Sequence, residues 1–367
     1  MKLICEGLDL SEAVLKVIKA TALKTTNPIL EGIKLKAVND QLILSATDLE
    51  LSIEKTISAD VKIEGECVVP GKFFADFVKK LSNEKIELTL NEQKVLKIKY
   101  TDSEGFLQCL NEEEFPLLKQ ITSPEYFSMI KRDLRDIINK TIFSVAVDDS
   151  RPILKGCKFE VTKEELTLIA VDGFRLALVK KPILTTSAEM NFIVPARSLS
   201  EISKILDDSE EEVKIFMQRN YIMVDLIDTK VMTRLLNGDF INYQNVIPSK
   251  FNTMITVNKQ QLEDALERAS LLARLDKYNK VVFDIKDKLL TISSTSDIGN
   301  ITENLTVAVE GKDISIAFNA RYFSECMRNI DDEFIKVNFD SPISPFTITS
   351  TENKEFLYLI LPVRILK

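Results

Sequence analysis

An internal repeat constrains this chain of 367 residues more than any other feature. The pattern x-P-I-L-x-G-x-K-x occupies positions 27–35 and returns at 151–159. Asp48 and Asp172 follow apolar stretches at the same spacing, and Asp297 marks a fainter third copy. A further landmark at 69–72 returns at 194–197 and 318–321. Because these landmarks share one spacing of about 125 residues, we predict three domain-sized tandem units, at 1–125, 126–251 and 252–367.

Each unit shows the same order of helical and strand-like segments. The predicted helices are 11–23, 71–82, 128–143, 196–206, 258–275 and 319–330; in 258–275 an apolar stripe of Leu262, Ala265, Leu266, Ala269 and Leu272 keeps helical spacing. Predicted strands include 42–46, 96–100 and 166–170, and 213–217 pairs with 222–226 as a hairpin. The fold class is therefore α+β, three tandem repeats of a unit of helices and antiparallel sheet.

Composition removes several classes of function. The chain contains no histidine, which excludes Ser-His-Asp triads, Cys-His dyads and His-ligated metal sites. Its five cysteines are scattered without a CxxC pair, so we expect neither a zinc site nor a disulfide framework, and a cytoplasmic location is favoured. No apolar run approaches the length of a membrane span, and the first residues do not resemble a signal peptide.

The charge is distributed unevenly. The net charge is −8, yet the six predicted helices hold 16 basic and 9 acidic residues. If those helices share a face, that face suits phosphate groups inside an acidic body. Lysine and arginine are also good helix formers on solvated surfaces, so on charge alone the two explanations stand equal.

Three aspartates offer an alternative, catalytic interpretation. Asp148, Asp149 and Asp172 are candidates for an acidic metal site. Asp172 has a counterpart in Asp48 whereas the other two have none, which favours a structural role for Asp172 in a turn, with Arg175 as its partner.

The last residues are apolar and must be covered. We predict a closing strand at 356–361 that Pro362 ends, after which Val363 and Ile365 line a groove suited to docking.

In combination, the three tandem units, Asn27-Pro28-Ile29-Leu30, Asp172-Gly173-Phe174-Arg175-Leu176 and Leu361-Pro362-Val363-Arg364-Ile365 resemble the family of bacterial DNA sliding clamps, the beta subunits of DNA polymerase III. The resemblance covers the whole chain. It implies a head-to-tail homodimeric ring of six domains, with helices lining the hole and sheets outside. It also implies a processivity factor that encircles double-stranded DNA without base readout, catalyses no reaction, needs no metal or other cofactor, and works in the cytoplasm away from membranes.

The resemblance further implies a pocket between the second and third units. There, short peptides rich in Gln and Leu from the replicative polymerase, the clamp loader and repair proteins bind in an apolar groove. The matching positions, hereafter the pocket set, are Leu154, Val171, Gly173, Phe174, Arg175, Leu176, Ile241, Asn245, Val246, Pro345, Phe346, Leu359, Leu361, Pro362 and Val363. Ile241 stands where the family often has Pro, and Asn245 where it often has Arg, so one polar contact with the peptide differs.

Two more surfaces follow from the same resemblance. The positions that match DNA contacts are Lys24, Lys79, Lys80, Arg151 and Arg197. The positions that match the dimer contact are Lys72 and Phe106 on one side and Leu271 and Leu272 on the other.

Two other functions compete with the clamp. A metal-dependent nucleic-acid enzyme would use Asp148, Asp149 and Asp172. A tandem-repeat extracellular binding module would carry a signal peptide, and the first residues give no indication of one.

Overall fold

A computed structural model describes residues 1–22, 24–81, 83–118, 121, 123–352 and 354–363. Ile365, which the sequence places in the docking groove, and its neighbour Arg364 lie outside that part of the chain. Within it there are six α-helices: α1 Gly7–Val17, α2 Gly71–Val78, α3 Lys131–Ile142, α4 Ala196–Ile205, α5 Lys259–Ala273 and α6 Ala320–Met327. None of the described helices is long and apolar enough to cross a membrane.

All six predicted helices are present, with shifted or shortened ends. Helix α5 buries Leu262, Ala265, Leu266 and Ala269 at helical spacing, and the Asn258 side chain caps it by accepting a hydrogen bond from the backbone N–H of Gln261 at 3.1 Å. Leu272 was predicted in the same stripe but is only half-buried. Helix α2 ends at Val78, where the prediction ran to 82; Lys79 and Lys80 form a turn, and position 82 lies outside the described residues.

The strands are β1 Lys2–Glu6, β2 Gly32–Val38, β3 Gln41–Thr47, β4 Leu51–Ser58, β5 Asp60–Ile63, β6 Gly65–Pro70, β7 Lys85–Leu90, β8 Val95–Tyr100, β9 Ser103–Gln108, β10 Tyr126–Ile130, β11 Gly156–Val161, β12 Glu165–Val171, β13 Arg175–Pro182, β14 Thr185–Thr186, β15 Met190–Pro195, β16 Glu212–Gln218, β17 Tyr221–Asp225, β18 Thr229–Arg234, β19 Thr253–Asn258, β20 Lys280–Lys286, β21 Leu289–Ser296, β22 Gly299–Thr306, β23 Ala308–Gly311, β24 Ile314–Asn319, β25 Phe334–Phe339, β26 Phe346–Ser350 and β27 Phe356–Ile360. The predicted hairpin is β16 with β17, where Met217 faces Ile222. The predicted closing strand is β27, one residue shorter than expected.

The strands form four antiparallel sheets in two compact units. One unit, Met1–Lys131 with Leu184–Ala188 and Lys204–Leu235, holds the sheets β5-β1-β7-β8-β9 and β14-β10-β16-β17-β18-β4-β3-β2-β6. The other unit comprises the remaining residues and holds β15-β11-β12-β13-β27-β26-β25-β19-β23 and β22-β21-β20-β24. The mixed helix and antiparallel-sheet class is confirmed.

Each nine-stranded sheet joins strands from two successive sequence repeats. In the first, β4 pairs with β18; in the second, the equivalent β13 pairs with β27. The boundaries of β4 and β13 differ by the repeat spacing at both ends, as do those of β3 and β12. The division into three domains stays a prediction, because the compact units follow the sheets rather than the repeats.

Candidate peptide pocket and charged surfaces

The turn between β12 and β13 holds Gly173 and Phe174 of the pocket set. Asp172 accepts hydrogen bonds through Oδ1 from the backbone N–H groups of Phe174 at 2.8 Å and Arg175 at 3.0 Å. Gly173 has a φ of +94°, and a β-carbon there would meet the guanidinium of Arg151 at 3.3 Å. Only glycine adopts that backbone at little cost, so the sequence Asp-Gly specifies the turn.

Arg175 is only 7% exposed. Its Nε donates to Oδ2 of Asp172 at 3.0 Å, its Nη2 to the carbonyl oxygen of Phe143 at 2.6 Å, and its Nη1 to the carboxylate of Glu325. The rings of Phe143 and Tyr322 lie 5.4 and 4.7 Å from the guanidinium carbon. The predicted pairing of Asp172 with Arg175 is confirmed, and the buried guanidinium stabilises the turn through this hydrogen bond.

An apolar cluster lies beside this turn. Leu176 on β13 pairs with Leu359 on β27. The buried members of the cluster are Ile169, Val171, Leu176, Tyr243 and Leu359, and Leu178, Phe240, Ile241, Ile247, Leu357 and Leu361 pack against them while partly exposed. The partly exposed members leave apolar surface at the rim, which is the chemistry an apolar peptide anchor needs.

The chain after β27 is held against the turn. The N–H of Leu361 donates to the carbonyl oxygen of Phe174 at 2.9 Å. Pro362 bridges to Phe318, and the N–H of Val363 donates to the carbonyl oxygen of Ala317 at 2.7 Å. All three residues are partly exposed, so this segment has surface that a docking partner could reach.

Other members of the pocket set differ in exposure. Leu154 is buried, and Phe346 is 0% exposed, with its ring centroid 5.0 Å from that of Phe318. These two can only support the groove from within. Asn245 and Val246 are exposed at the end of a 3₁₀ helix, and Pro345 is partly exposed.

Sequence reasoning missed several groups at this site. Glu325 and Tyr322 lie on α6, about 150 residues beyond the arginine they contact, and no local pattern links them to it. The hydroxyl of Tyr243 donates to Oε2 of Glu160 at 2.7 Å; burial and this hydrogen bond raise the pKa of Tyr243 to about 12. The position of Tyr243 between Ile241 and Asn245, two residues of the pocket set, was the available signal.

The residues predicted to contact DNA are all exposed. Lys79 and Lys80 follow the end of α2, and Arg197 lies in the first turn of α4. Lys24 follows a 3₁₀ helix that continues α1. Arg151 packs on Gly173, so this cation also borders the candidate pocket.

Of the residues predicted at the dimer contact, one lies on an edge strand and three lie on helices. Phe106 on β9 is 63% exposed, and Lys97 lies over its ring at 5.7 Å. Lys72, also exposed, is in the first turn of α2. Leu271 on α5 is 60% exposed and Leu272 is half-buried. Strands β9 and β22 stand at the ends of their sheets in the described structure.

The three aspartates of the catalytic alternative are engaged separately. Asp148 accepts hydrogen bonds from Ser150, Asp149 pairs with Lys155 at 2.5 Å, and Asp172 holds the pocket turn. Among the residues that the structure describes, no three Asp, Glu or Cys side chains are grouped so that they could hold a metal ion.

Comparisons with known proteins cover nearly the whole chain. Family models of the DNA polymerase III beta subunit match at 1–119 (N-terminal domain), 129–242 (central domain) and 244–364 (C-terminal domain). The beta sliding clamp of Staphylococcus epidermidis is 33% identical over 357 residues, covering 95% of each chain.

Solved structures agree in fold. The DNA polymerase sliding clamp of Bacillus subtilis superposes with a TM-score of 0.97 at 32% identity and covers 100% of both chains. The DNA polymerase III beta subunit of Thermotoga maritima superposes with a TM-score of 0.93 at 29% identity, again over 100% of both chains.

Proposed function

This chain belongs to the family of bacterial DNA polymerase III beta subunits, the beta sliding clamps, and from that membership we propose which of its surfaces close the ring, hold DNA and receive partners. As a member it is a processivity factor: it binds DNA and tethers the polymerase to it. Dimeric rings and partner binding are typical of the family. The single observation that carries the function is that all three domain models match in order along one chain.

The pairing of strands between successive repeats supports ring closure, because it occurs twice and leaves two equivalent strands at sheet ends. Strand β18 of the second repeat pairs with β4 of the first, and β27 of the third repeat pairs with β13 of the second. By the same order, β9 is the counterpart of β18 and β27, and β22 is the counterpart of β4 and β13. Both end their sheets in the described chain. We infer that β9 of one copy pairs with β22 of a second copy.

Side chains beside these edges fit the same contact. Exposed Phe106 on β9 and exposed Leu271 on α5 offer apolar surface to a partner. Leu272 follows Leu271 on α5, and Lys72 is an exposed cation on α2. Two such contacts, each between unlike surfaces, close a ring of two copies.

The partner site proposed here is the groove formed by the pocket set. Its rim is apolar at Ile241 and Leu361, and the buried cluster around Leu176 and Leu359 gives it a firm floor. With Asn245 in place of the more usual cation, we expect a peptide to bind chiefly through apolar anchors rather than through its acidic groups.

Lys24, Lys79, Lys80, Arg151 and Arg197 are proposed to contact DNA phosphates. Their exposure in a chain of net charge −8 supports contacts that are few and weak, as sliding requires. We further propose that the chain catalyses no reaction, needs no cofactor, acts in the cytoplasm, and divides into domains near residues 125 and 251.

Light scattering over a dilution series tests ring closure. We expect the mass of two chains, and the mass of one chain for Phe106→Asp, because the substitution removes the apolar ring from the contact and puts a charge in its place. Leu8→Asp is the matched control, since Leu8 is also exposed but lies on α1. If the wild-type chain stayed monomeric at every concentration, the proposed contact would be wrong.

A further inference from the structure

Glu325 lies between two arginines of very different exposure. Its Oε2 accepts from Nη1 of Arg175, whose side chain is 6% exposed, and its Oε1 accepts from Nε of Arg321 at 2.8 Å, whose side chain is 70% exposed. The Glu325 side chain itself is 20% exposed. One carboxylate therefore serves a buried partner and a solvent-facing partner.

The buried partner depends on three separate parts of the chain. The Arg175 guanidinium donates to Asp172 in the turn, to the carbonyl of Phe143 after α3, and to Glu325 on α6. A buried guanidinium needs all its acceptors, because each lost one leaves a charged donor in a medium that cannot solvate it. Removing the Glu325 charge leaves Asp172 as the one carboxylate that neutralises Arg175 among the described contacts.

Arg175 is continuous with the exposed rim of the groove. Its own N–H and that of Phe174 share Oδ1 of Asp172. The carbonyl of Phe174 accepts the N–H of Leu361, and the Phe174 ring stacks on Tyr322 at 6.1 Å between centroids. Tyr322 and Glu325 are three residues apart on α6, so one helix face holds both the guanidinium and the ring.

We propose that Glu325 is a positioning residue of the peptide pocket: by holding Arg175 it fixes the Gly173–Phe174 turn, and with it Leu361, in the arrangement that receives the peptide. This inference rests on the proposed pocket. Glu325 acts through Arg175 and needs no contact of its own with the peptide.

Peptide affinity is the first test, with a fluorescein-labelled peptide rich in Gln and Leu followed by anisotropy. We expect Glu325→Gln, which keeps the shape and removes the charge, to weaken binding about tenfold. The matched control is Arg321→Ala, which removes the solvent-facing partner and should change affinity by less than about twofold. Glu325→Asp, which keeps the charge, should recover part of the loss.

The outcomes separate the two proposals. If the wild-type chain does not bind the peptide, the proposed pocket is wrong. If the wild type binds and Glu325→Gln binds equally well, the pocket stands and the role of Glu325 is overturned. If Arg321→Ala loses as much peptide affinity as Glu325→Gln, Glu325 acts through its exposed partner rather than through Arg175, which also overturns the inference.

A spectroscopic readout distinguishes positioning from general stability. The chain contains no tryptophan, so Phe174→Trp places a single reporter on the rim. Far below the melting temperature, we expect Glu325→Gln to shift the emission of that tryptophan and Arg321→Ala to leave it unchanged. An unshifted emission in Glu325→Gln would contradict the proposal even if the variant melts earlier.

Should Glu325→Gln fold poorly, Arg175→Lys gives a second route. Lysine keeps the charge but lacks the planar guanidinium that donates to all three acceptors. Arg175→Lys should therefore weaken peptide binding to a similar extent. The double variant should then add little to either single one, since both break the same contact. Additive losses would overturn the coupling.

Discussion

Two equivalent turns in this clamp share one backbone design and differ in what they offer to a partner. Asp48 accepts the N–H groups of Glu50 and Leu51, as Asp172 accepts those of Phe174 and Arg175. After each turn the neighbouring strand is tied on identically: the N–H of Arg234 donates to the carbonyl of Glu50, and the N–H of Leu361 to the carbonyl of Phe174, both at 2.9 Å.

The side chains on that common frame are opposite in character. The first turn has Leu49 at a φ of 78°, then Glu50, then Leu51 buried in the core. The second has Gly173, then exposed Phe174, then Arg175 buried between two carboxylates. Where the first copy presents Glu50 and Arg234, the second presents Phe174 and Leu361. The two copies therefore keep one backbone frame and differ in the side chains on it, both the buried pair Leu51 and Arg175 and the exposed residues of the proposed docking surface.

Removing the turn aspartate should have the largest effect and should affect the copies unequally. We expect Asp172→Ala to lower the free energy of unfolding by about 3 kcal/mol, because it also takes a carboxylate from buried Arg175. Asp48→Ala should cost about 1 kcal/mol, since Leu51 takes the place of the arginine. Urea unfolding of both variants measures this, and equal costs would show that the ion pair adds nothing to the turn.

Exchanging the side chains tests whether they alone make the second turn a docking site. We expect Phe174→Glu with Leu361→Arg, the residues of the first copy, to weaken peptide binding more than about 100-fold, because the apolar rim becomes charged. The fold should persist, since the first turn holds these residues on the same frame. The control is Glu50→Phe with Arg234→Leu, which should leave peptide affinity unchanged; a loss there would place the site at the first turn.

Exchanging the residues with positive φ, Gly173 and Leu49, tests how much backbone strain each turn contains. Gly173→Leu should lower the free energy of unfolding by about 2 kcal/mol, through left-handed strain and contact with Arg151. Leu49→Gly should raise it by up to about 1 kcal/mol, because it relieves that strain at an exposed position. Thermal melting of both variants provides the test. Destabilisation by Leu49→Gly would show that the positive φ of Leu49 does not strain the backbone.

The pH dependence of the second site should be the smallest effect. Burial and the hydrogen bond to Glu160 raise the pKa of Tyr243 to about 12, above its unfolded value near 10. The stabilisation from this raised pKa is therefore complete below pH 10 and is lost as pH rises towards 12. Comparing wild type with Tyr243→Phe by urea unfolding, we expect a difference of about 1 kcal/mol at pH 8 that shrinks above pH 10; a constant difference would contradict the assignment.

The turns show what the sequence could and could not predict. The Asp-Gly pair and its spacing from Asp48 predicted the Asp172 turn and its arginine partner, because turn chemistry is local. The stripe on α5 predicted its buried face, although Leu272 falls only partly within it. The roles of Glu325 and Tyr322 were not predictable, since they contact Arg175 across about 150 residues of chain and no periodicity records such a contact.

The pairing of the sheets was equally beyond the sequence. The repeat predicted three similar units, but alternation along a strand does not reveal that β18 pairs with β4 and β27 with β13. That pairing supports the proposal that β9 of one copy meets β22 of a second copy.

Retention on circular DNA tests whether the clamp is linked to DNA by topology. The clamp, loaded by a clamp loader onto a nicked plasmid, is passed through a sizing column in high salt, and the plasmid is then cut once. We expect the clamp to elute with intact circles despite the salt, since a closed ring is held by topology, and to leave after linearisation as it slides off the ends. Equal loss of the clamp from circular and linear DNA would show that no closed ring surrounds the DNA.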